Sequence, residues 1–563
     1  MNGTPLGAQL LDDNRCEFRV WAPFHESVEL KLDGRLIALT KRGEYHEAVV
    51  DDVREGARYF FVVNGRERPD PASRSQPDGV HAASEVIGSD FEWHDRDWRG
   101  IALEDHVIYE LHAGTFTDGG TFESAIDRLD ELKSLGITAV ELLPIAQFPG
   151  NRNWGYDGVY VGAAQSSYGG PRGLKRLVDA CHARGLAILI DVVYNHLGPE
   201  GNYLSEFGPY FTDRYKTPWG SAINFDGPHS DEVRRFFIHN ALQWVDEFHI
   251  DGLRVDAVHA IVDRTAEPFL QDLTTAVRER ASELGRRIWT MAESNLNDPR
   301  VITPKERFGL GFDSQWTDDY HHALHVLITG EDAGYYQGFG RVSDLARVMR
   351  EGYYWTGQHN AYRGRRYGSR PSTRDGAQFV VCAQNHDQIG NRMLGERLSQ
   401  LVSHEQLRLA AAVIVLSPFL PMLFMGEEYG ETAPFQYFTS HSDADLIEAV
   451  RKGRREEFKG FEWRGEAPDP HDEETFRRSR LNWSLKLRDQ HAALWQLYRE
   501  LFRIRRETPA LRSLDMNAVE TIADDEQRTL VVRRDEVAIA FNFSDQSRVV
   551  DGIELAPWGF DIR

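Results

Sequence analysis

Short apolar runs recur through the middle of the chain, each set off from the next by a stretch whose apolar positions return every three or four residues. VIYELHA (107–113), GITAVELLP (136–144), LAILIDVVY (186–194) and GLRVDAV (252–258) read as strands, and IWTMAES (288–294), FDSQW (312–316), FVVCAQNH (379–386) and MLFMGEE (422–428) continue the series. Helix-like segments such as GLKRLVDACHARG and RRFFIHNALQWVDEFH separate them. A parallel strand covered on both faces needs a near-continuous apolar run, whereas a half-exposed antiparallel strand alternates. Eight β-then-α units therefore predict an α/β protein built on a (β/α)₈ TIM barrel, with a doubly wound open sheet as the structural alternative.

The flanks follow a different pattern. CEFRVWAP, SVELKL and YFFVV, punctuated by Gly, Asp, Asn and Pro, predict an N-terminal β-sandwich over residues 1–90. The segment RPDPASRSQPDG (68–79) lacks periodicity and is expected as a connector lying on a surface. The barrel is assigned to 91–512, and its stretch of roughly 195–230 is too long for an ordinary connection, so it is expected to form part of a cleft. Leu494, Leu497, Tyr498, Leu501, Phe502 and Arg505 carry helical spacing ahead of Pro509, and TLVVRR and EVAIAFNF then predict a small C-terminal β-domain at 513–563.

Composition narrows the class. A 563-residue chain that is 41% hydrophobic and 27% charged can bury enough apolar surface to offset chain entropy, which excludes a disordered or fibrous protein. No apolar run approaches the roughly 18 residues that span a bilayer, and the start MNGTPLGAQLLDDN lacks a signal-peptide layout, so a soluble cytoplasmic protein is expected. A formal charge of −23 opposes nucleic acid and anionic membranes as partners. Cys16, Cys181 and Cys382 are too widely spaced for a disulfide frame or a zinc site, and read as core residues.

Barrel enzymes carry their chemistry at the C-terminal ends of the strands. There the chain places DVVYNH (191–196), DGLRVDAVHA (251–260), MAES (291–294) and AQNHDQIGNR (383–392), which should bring Asp256, Glu293 and Asp387 to one pocket. Cleaving an acetal needs a proton donor for the departing oxygen and a carboxylate for the oxocarbenium-like carbon. Arg254 shares a strand face with Asp256 and would keep it ionised as the nucleophile. Burial and the neighbouring charge would keep Glu293 protonated as general acid, then base, and a third acid can hold substrate hydroxyls. His196 and His386 lack metal-ligand spacing and read as donors to sugar hydroxyls. Tyr156, in NWGYDGVY, could stack on a pyranose, and Trp219, Tyr203, Phe207 and Tyr210 in the long connection read either as substrate contacts or as core aromatics. No oxygen-rich loop with calcium-ligand spacing is found, so no metal or cofactor is expected.

DVVYNH, DGLRVDAVH, MAES and QNHD, in this order, resemble the four signature regions of the α-amylase superfamily of retaining α-glucan enzymes. FRVWAP (18–23) looks like the N-terminal sandwich of its branching enzymes, isoamylases and trehalohydrolases, so the likeness covers nearly the whole chain. It implies Asp256 as nucleophile, Glu293 as acid/base and Asp387 as transition-state stabiliser. Residues 223–261 and 312–325 look closest to the maltooligosyltrehalose trehalohydrolases. That likeness implies hydrolysis of the α-1,4 bond joining a maltooligosaccharide to terminal trehalose, in a trehalose-forming route downstream of a maltooligosyltrehalose synthase. A glycogen branching enzyme is the alternative, opposed by His259, Asn295 and the block QNHDQIGNR, and a non-catalytic glucan-binding protein is a second. Trp219, His259, Asn295 and Tyr429 are the residues expected at the leaving-group side.

Overall fold

A computed structural model of the chain describes residues 5–11, 14–88, 90–217, 219–457 and 466–563. Eight parallel strands close into a barrel in chain order: β1 (Ile108–Leu111), β2 (Ala139–Leu142), β3 (Ala187–Val192), β4 (Gly252–Val255), β5 (Trp289–Ala292), β6 (Ser314–Trp316), β7 (Phe379–Val381) and β8 (Leu420–Phe424). β8 pairs back onto β1, with Ile108 opposite Met422. Each apolar run read as a strand supplies one of them. All their residues are buried except Trp289, which is half-buried, so an alternating polar pattern had no solvent face to occupy. Close packing leaves no space for a side chain at position 252: a Cβ there would sit 2.5 Å from Leu189 Cδ2 and 2.9 Å from the Trp289 carbonyl oxygen.

Helices such as Gly170–Ala183, Ser230–Glu247 and His404–Val415 wrap the barrel. The connection from β5 to β6 departs from the expected β-then-α repeat, because it carries a single 3₁₀ turn, Lys305–Arg307, and no α-helix. Pro299, Pro304, Gly309 and Gly311 punctuate that connection and stop a helix from propagating. No described helix is long and apolar enough to cross a membrane.

Two antiparallel sheets precede the barrel. In chain order the first contains Gly7–Leu10, Cys16–Trp21, Thr40–Arg42 and Tyr45–Val50, and the second is centred on Glu29–Leu32 and Arg58–Val63. Phe18, Leu30, Tyr59 and Phe61 fill the space between them. The segment 68–79 does not lie on a surface as its composition suggested. Asp70, Ser73 and Gln76 are at most 1% exposed, the Tyr59 hydroxyl donates to Asp70 Oδ2 at 2.6 Å, and Arg74 reaches Glu247 on the barrel at 3.2 Å. Asp70 and Ser73 meet protein partners there rather than water, a distinction that a composition count does not make.

The long stretch after β3 folds into a helical turn, Leu204–Phe207, and a hairpin of Phe211–Thr217 with Gly220–Ile223. Trp21 of the sandwich meets Tyr210 edge-on at 5.2 Å, Phe61 meets Phe207 at 6.4 Å and Arg68 lies 4.3 Å over the Tyr203 ring. Tyr203, Phe207 and Tyr210 therefore serve the seam between sandwich and barrel, not a substrate cleft. Downstream, Asp489–Glu507 forms the helix expected from its spacing. Val519–Asp524, Thr529–Arg534, Val537–Asn542 and Phe560–Ile562 build a C-terminal sheet, tied to the barrel by Arg534 donating to the Leu416 and Ser417 carbonyls at 3.0 Å.

Candidate active site

The C-terminal mouth of the barrel is organised around one buried cation. Arg254, on β4, is fully buried, and its guanidinium stacks 4.1 Å over the Trp316 ring of β6. Strand register puts Asp191 of β3 directly opposite it. Nη1 donates to Asp191 Oδ2 at 2.5 Å and to Asp256 Oδ1 at 2.9 Å, while Nη2 lies 3.2 Å from Glu293 Oε2, an ion pair without hydrogen-bond alignment. One guanidinium thus holds three carboxyl groups, which satisfies a charge that would be prohibitively costly in isolation.

Asp256 and Glu293 are driven apart by their surroundings. Burial pushes Asp256 upward, but the Arg254 cation, His196, the Asn195 side chain and a hydrogen bond with Glu293 outweigh it and hold Asp256 below the usual carboxylate range. Asn195 Nδ2 donates to Asp256 Oδ2 at 2.6 Å. Glu293 is pushed well above its ordinary value by burial, against which Arg254 acts, and by the charges of Asp256 and Asp387. Its Oε2 accepts from the Ala257 N–H at 2.7 Å. Ala257 adopts φ +39°, a left-handed conformation unusual for a residue with a Cβ, and this local strain at the strand end accompanies the turn that presents its N–H to Glu293. One carboxyl is kept ionised and its neighbour protonated, the division of labour that acid-assisted nucleophilic cleavage requires.

Asp387 stands in the first turn of the short helix His386–Gly390, capped by Asn385, whose Oδ1 accepts from the Asp387 and Gln388 N–H groups at 2.9 and 3.2 Å. Its side chain is 41% exposed and lies 3.6 Å from His386 Nε2, open to a ligand. His386 is buried between Glu110 Oε1, 2.5 Å from Nδ1, and the Tyr156 hydroxyl, 2.8 Å from Nε2. Tyr156 donates to Asp191 Oδ2 at 2.6 Å and stacks one ring face on His386 at 5.3 Å, so His386 already occupies that face. Gly155 makes this placement possible: at φ +109°, a Cβ there would fall 2.0 Å from the Pro144 carbonyl oxygen.

The remaining expected residues divide. His196 has Nδ1 against Asn195 Oδ1 and Nε2 3.0 Å from the Tyr156 carbonyl, so both ring nitrogens of His196, like those of His386, are occupied by protein groups rather than left free for a sugar. Trp219 is 50% exposed and stacks on His196 at 4.5 Å, which leaves its outer face to solvent at the rim. His259 is half-buried beside Asp256, with Nδ1 lacking a partner. Asn295 lies at the mouth, its carbonyl 3.3 Å from Arg363 Nη2. Tyr429 is fully buried and donates to Glu431 Oε2 at 3.0 Å, which removes it from the leaving-group side. Among the described residues, no group of three or more His, Cys, Asp or Glu side chains is arranged to hold a metal ion.

Sequence reasoning passed over several residues that complete the site. Asp191 and Asn195 lie within DVVYNH, the block that also carries His196. Glu110 and Glu141, opposite one another in the β1–β2 register, are carboxyls inside strands that read as wholly buried, a signal available in VIYELHA and AVELL. Asp318 opens the helix Asp318–Thr329 and is raised to about 7 by burial, Asp319 and Asp387, against Arg363 and Arg254. No local pattern in the chain marks Asp318 or Arg363.

A model of the alpha amylase catalytic domain matches residues 70–218. The malto-oligosyltrehalose trehalohydrolase of Saccharolobus solfataricus is 48% identical over 88% of this chain and 86% of its own length. That of Rhizobium sp. strain M-11 is 44% identical over 95% of this chain and 92% of its own length. A crystal structure from Salmonella typhimurium, described as a candidate alpha amylase, superposes with a TM-score of 0.93 at 35% identity, covering 100% of both chains. A 1,4-alpha-glucan branching enzyme from Pseudoalteromonas atlantica is more distant, at 27% identity over 91% of this chain and 69% of its own length. The arrangement of acids around Arg254 is thus found in a chain that belongs to the malto-oligosyltrehalose trehalohydrolase family.

Proposed function

We propose that the protein is a retaining glycoside hydrolase that cleaves the α-1,4-glucosidic bond between a maltooligosaccharide and a terminal trehalose unit, releasing trehalose. The observation that carries this reading is the opposite tuning of Asp256 and Glu293 on a single guanidinium, with Asp387 beside them. Glu293, protonated, donates to the glucosidic oxygen as the C–O bond breaks, while Asp256 attacks the anomeric carbon and forms a glycosyl ester. Glu293, now a carboxylate, then takes a proton from the water that hydrolyses the ester and regenerates both groups. An inverting pair would need space for a water between its carboxyls, about 6.5–9.5 Å apart, whereas Asp256 Oδ1 and Glu293 Oε2 lie 2.9 and 3.2 Å from the two terminal nitrogens of one guanidinium. Asp387 accepts from hydroxyls of the flattened ring, and Tyr156, His196, Arg254 and His386 shape the subsite beneath it.

The name shared by the relatives supports the substrate, and Trp219, His259 and Asn295 at the rim are its proposed leaving-group contacts. The division into residues 1–90, 91–512 and 513–563, and functional pairing with a maltooligosyltrehalose synthase, belong to the same reading. So does a cytoplasmic setting, which three buried, unpaired cysteines favour. Incubation with maltotriosyltrehalose should yield trehalose and maltotriose, resolved by chromatography. New α-1,6 branches formed from amylose, with no trehalose released, would replace this reading with a branching enzyme.

A further inference from the structure

The catalytic reading leaves Glu110 without a role. Glu110 lies on β1, inside the barrel and 1% exposed, with Oε1 2.5 Å from His386 Nδ1 and Oε2 3.2 Å from the His386 backbone nitrogen. From there an unbroken chain of short contacts runs to the nucleophile: His386 Nε2 to the Tyr156 hydroxyl at 2.8 Å, that hydroxyl to Asp191 Oδ2 at 2.6 Å, Asp191 to Arg254 Nη1 at 2.5 Å, and Arg254 Nη1 to Asp256 Oδ1 at 2.9 Å.

We infer that Glu110 is a positioning residue: by holding His386 as a cation that donates from both ring nitrogens, it sets the direction of the Tyr156 hydroxyl and thereby keeps Asp191 paired on Arg254 beside the nucleophile. This rests on the hydrolase reading given above and deepens it.

Proton counting supports the assignment. Nδ1 faces a carboxylate oxygen and must carry a hydrogen to meet it favourably. Were His386 neutral in that tautomer, Nε2 would be an acceptor, and the single hydrogen of Tyr156 would have to turn to Nε2 and abandon Asp191. With His386 cationic, Nε2–H donates to Tyr156 and the hydroxyl hydrogen stays on Asp191, so every contact in the chain has one donor and one acceptor. The charged and titratable groups around the ring agree. Burial and the Arg254 cation oppose the charge, but Asp387 and Glu110 favour it, and together they lift His386 to about 9. Glu141 of β2 also acts on this group, is itself pushed well up by burial and by Glu110, and supplies a neutral carboxyl rather than a competing counterion. His112, whose pKa is lowered to about 4 by burial and whose Nε2 lies 2.8 Å from the Asn153 carbonyl, is neutral and adds no charge. Tyr156, raised well above its ordinary range by burial and Asp191, stays protonated.

Glu110→Gln tests this. The amide keeps the size but removes the charge that holds His386 cationic, so the defect must depend on pH. The kcat/KM defect is expected to be smallest near pH 5 and to grow to at least about tenfold near pH 8, as a His386 without its Glu110 counterion loses its proton. A purely structural role would lower activity by one factor at all pH values. A folded Glu110→Gln enzyme whose pH profile runs parallel to wild type overturns the proposal. NMR of the ¹³Cε1-histidine-labelled wild-type enzyme, with His386 assigned by its loss in His386→Gln, reads the same group without needing the Glu110 variant to fold. A His386 signal that stays in the imidazolium position through pH 8 supports the proposal, and one that titrates below pH 7 overturns it. The titration uses no substrate, so a wild-type enzyme that releases no trehalose counts against the substrate reading alone.

Discussion

At the scale of single residues, the chemistry follows from how one buried guanidinium is shared. Asp256 receives a hydrogen bond from Arg254 and another from Asn195, whereas Glu293 has a poorly aligned contact with the same cation and two negative neighbours. The pH dependence has a definite sign. Activity should rise as Asp256 ionises, below the ordinary carboxylate range, and fall only when Glu293 loses its proton, well above that range. Glu293→Gln keeps the shape and the Ala257 contact but cannot supply a proton. Steady-state kinetics should show kcat lowered by about 10²–10⁴ with an unchanged circular dichroism spectrum, and turnover within a few-fold of wild type would remove Glu293 from the acid role. Asp256, Glu293, Asp387 and Arg254 were legible because each closes or adjoins an apolar run, where an acid has no solvent-side explanation. Asp318 and Arg363 were not, because they arrive from a helix start and from a long irregular connection, and only the folded chain brings them to Glu293 and Asn295.

At the scale of elements, the strands were legible and their fastenings were not. The eight apolar runs needed no context, since a strand buried on both faces carries its own pattern. The helix expected between β5 and β6 is absent because prolines and glycines interrupt that stretch. A second buried charge network fixes the other end of the barrel. His182, on the helix Gly170–Ala183, places Nδ1 2.8 Å from Asp95 Oδ2 and Nε2 2.8 Å from Asp251 Oδ2, with its side chain fully buried. Asp251 also accepts from Trp98 Nε1 at 2.8 Å and Arg286 Nη2 at 2.9 Å. Both ring nitrogens of His182 face carboxylates, so although burial pushes its pKa down, hydrogen bonds to Asp251 and Asp95 prevail and raise it. A histidine raised in the folded state stabilises fully below its unfolded value, near 6.5, and loses that contribution as pH climbs through the folded value. His182→Gln should therefore cost about 2–4 kcal/mol in denaturant unfolding at pH 6 and distinctly less at pH 9. An equal cost at both pH values would show that the imidazolium charge contributes nothing there.

At the scale of the whole molecule, the sandwich, barrel and C-terminal sheet are joined by side chains that sequence patterns misassigned. Segment 68–79 looked solvent-exposed yet is buried at the seam, and Tyr203, Phe207 and Tyr210 looked available to substrate yet pack against Arg68, Phe61 and Trp21. Composition cannot tell a polar residue facing water from one facing a protein partner, or an aromatic ring in a cleft from one in a joint. The seam also bears on catalysis, because the connection that carries Trp219 to the rim and Asn195 to the nucleophile is the one anchored to the sandwich. The central claim, that Asp256 and Glu293 act in two successive displacements at one carbon, is tested most directly by the configuration of the sugar first released. Proton NMR during the opening minutes of maltotriosyltrehalose hydrolysis should show maltotriose appearing as the α-anomer and only later drifting to its equilibrium mixture. Initial appearance of the β-anomer would mean a single inverting displacement, and a nucleophilic Asp256 would have to be abandoned.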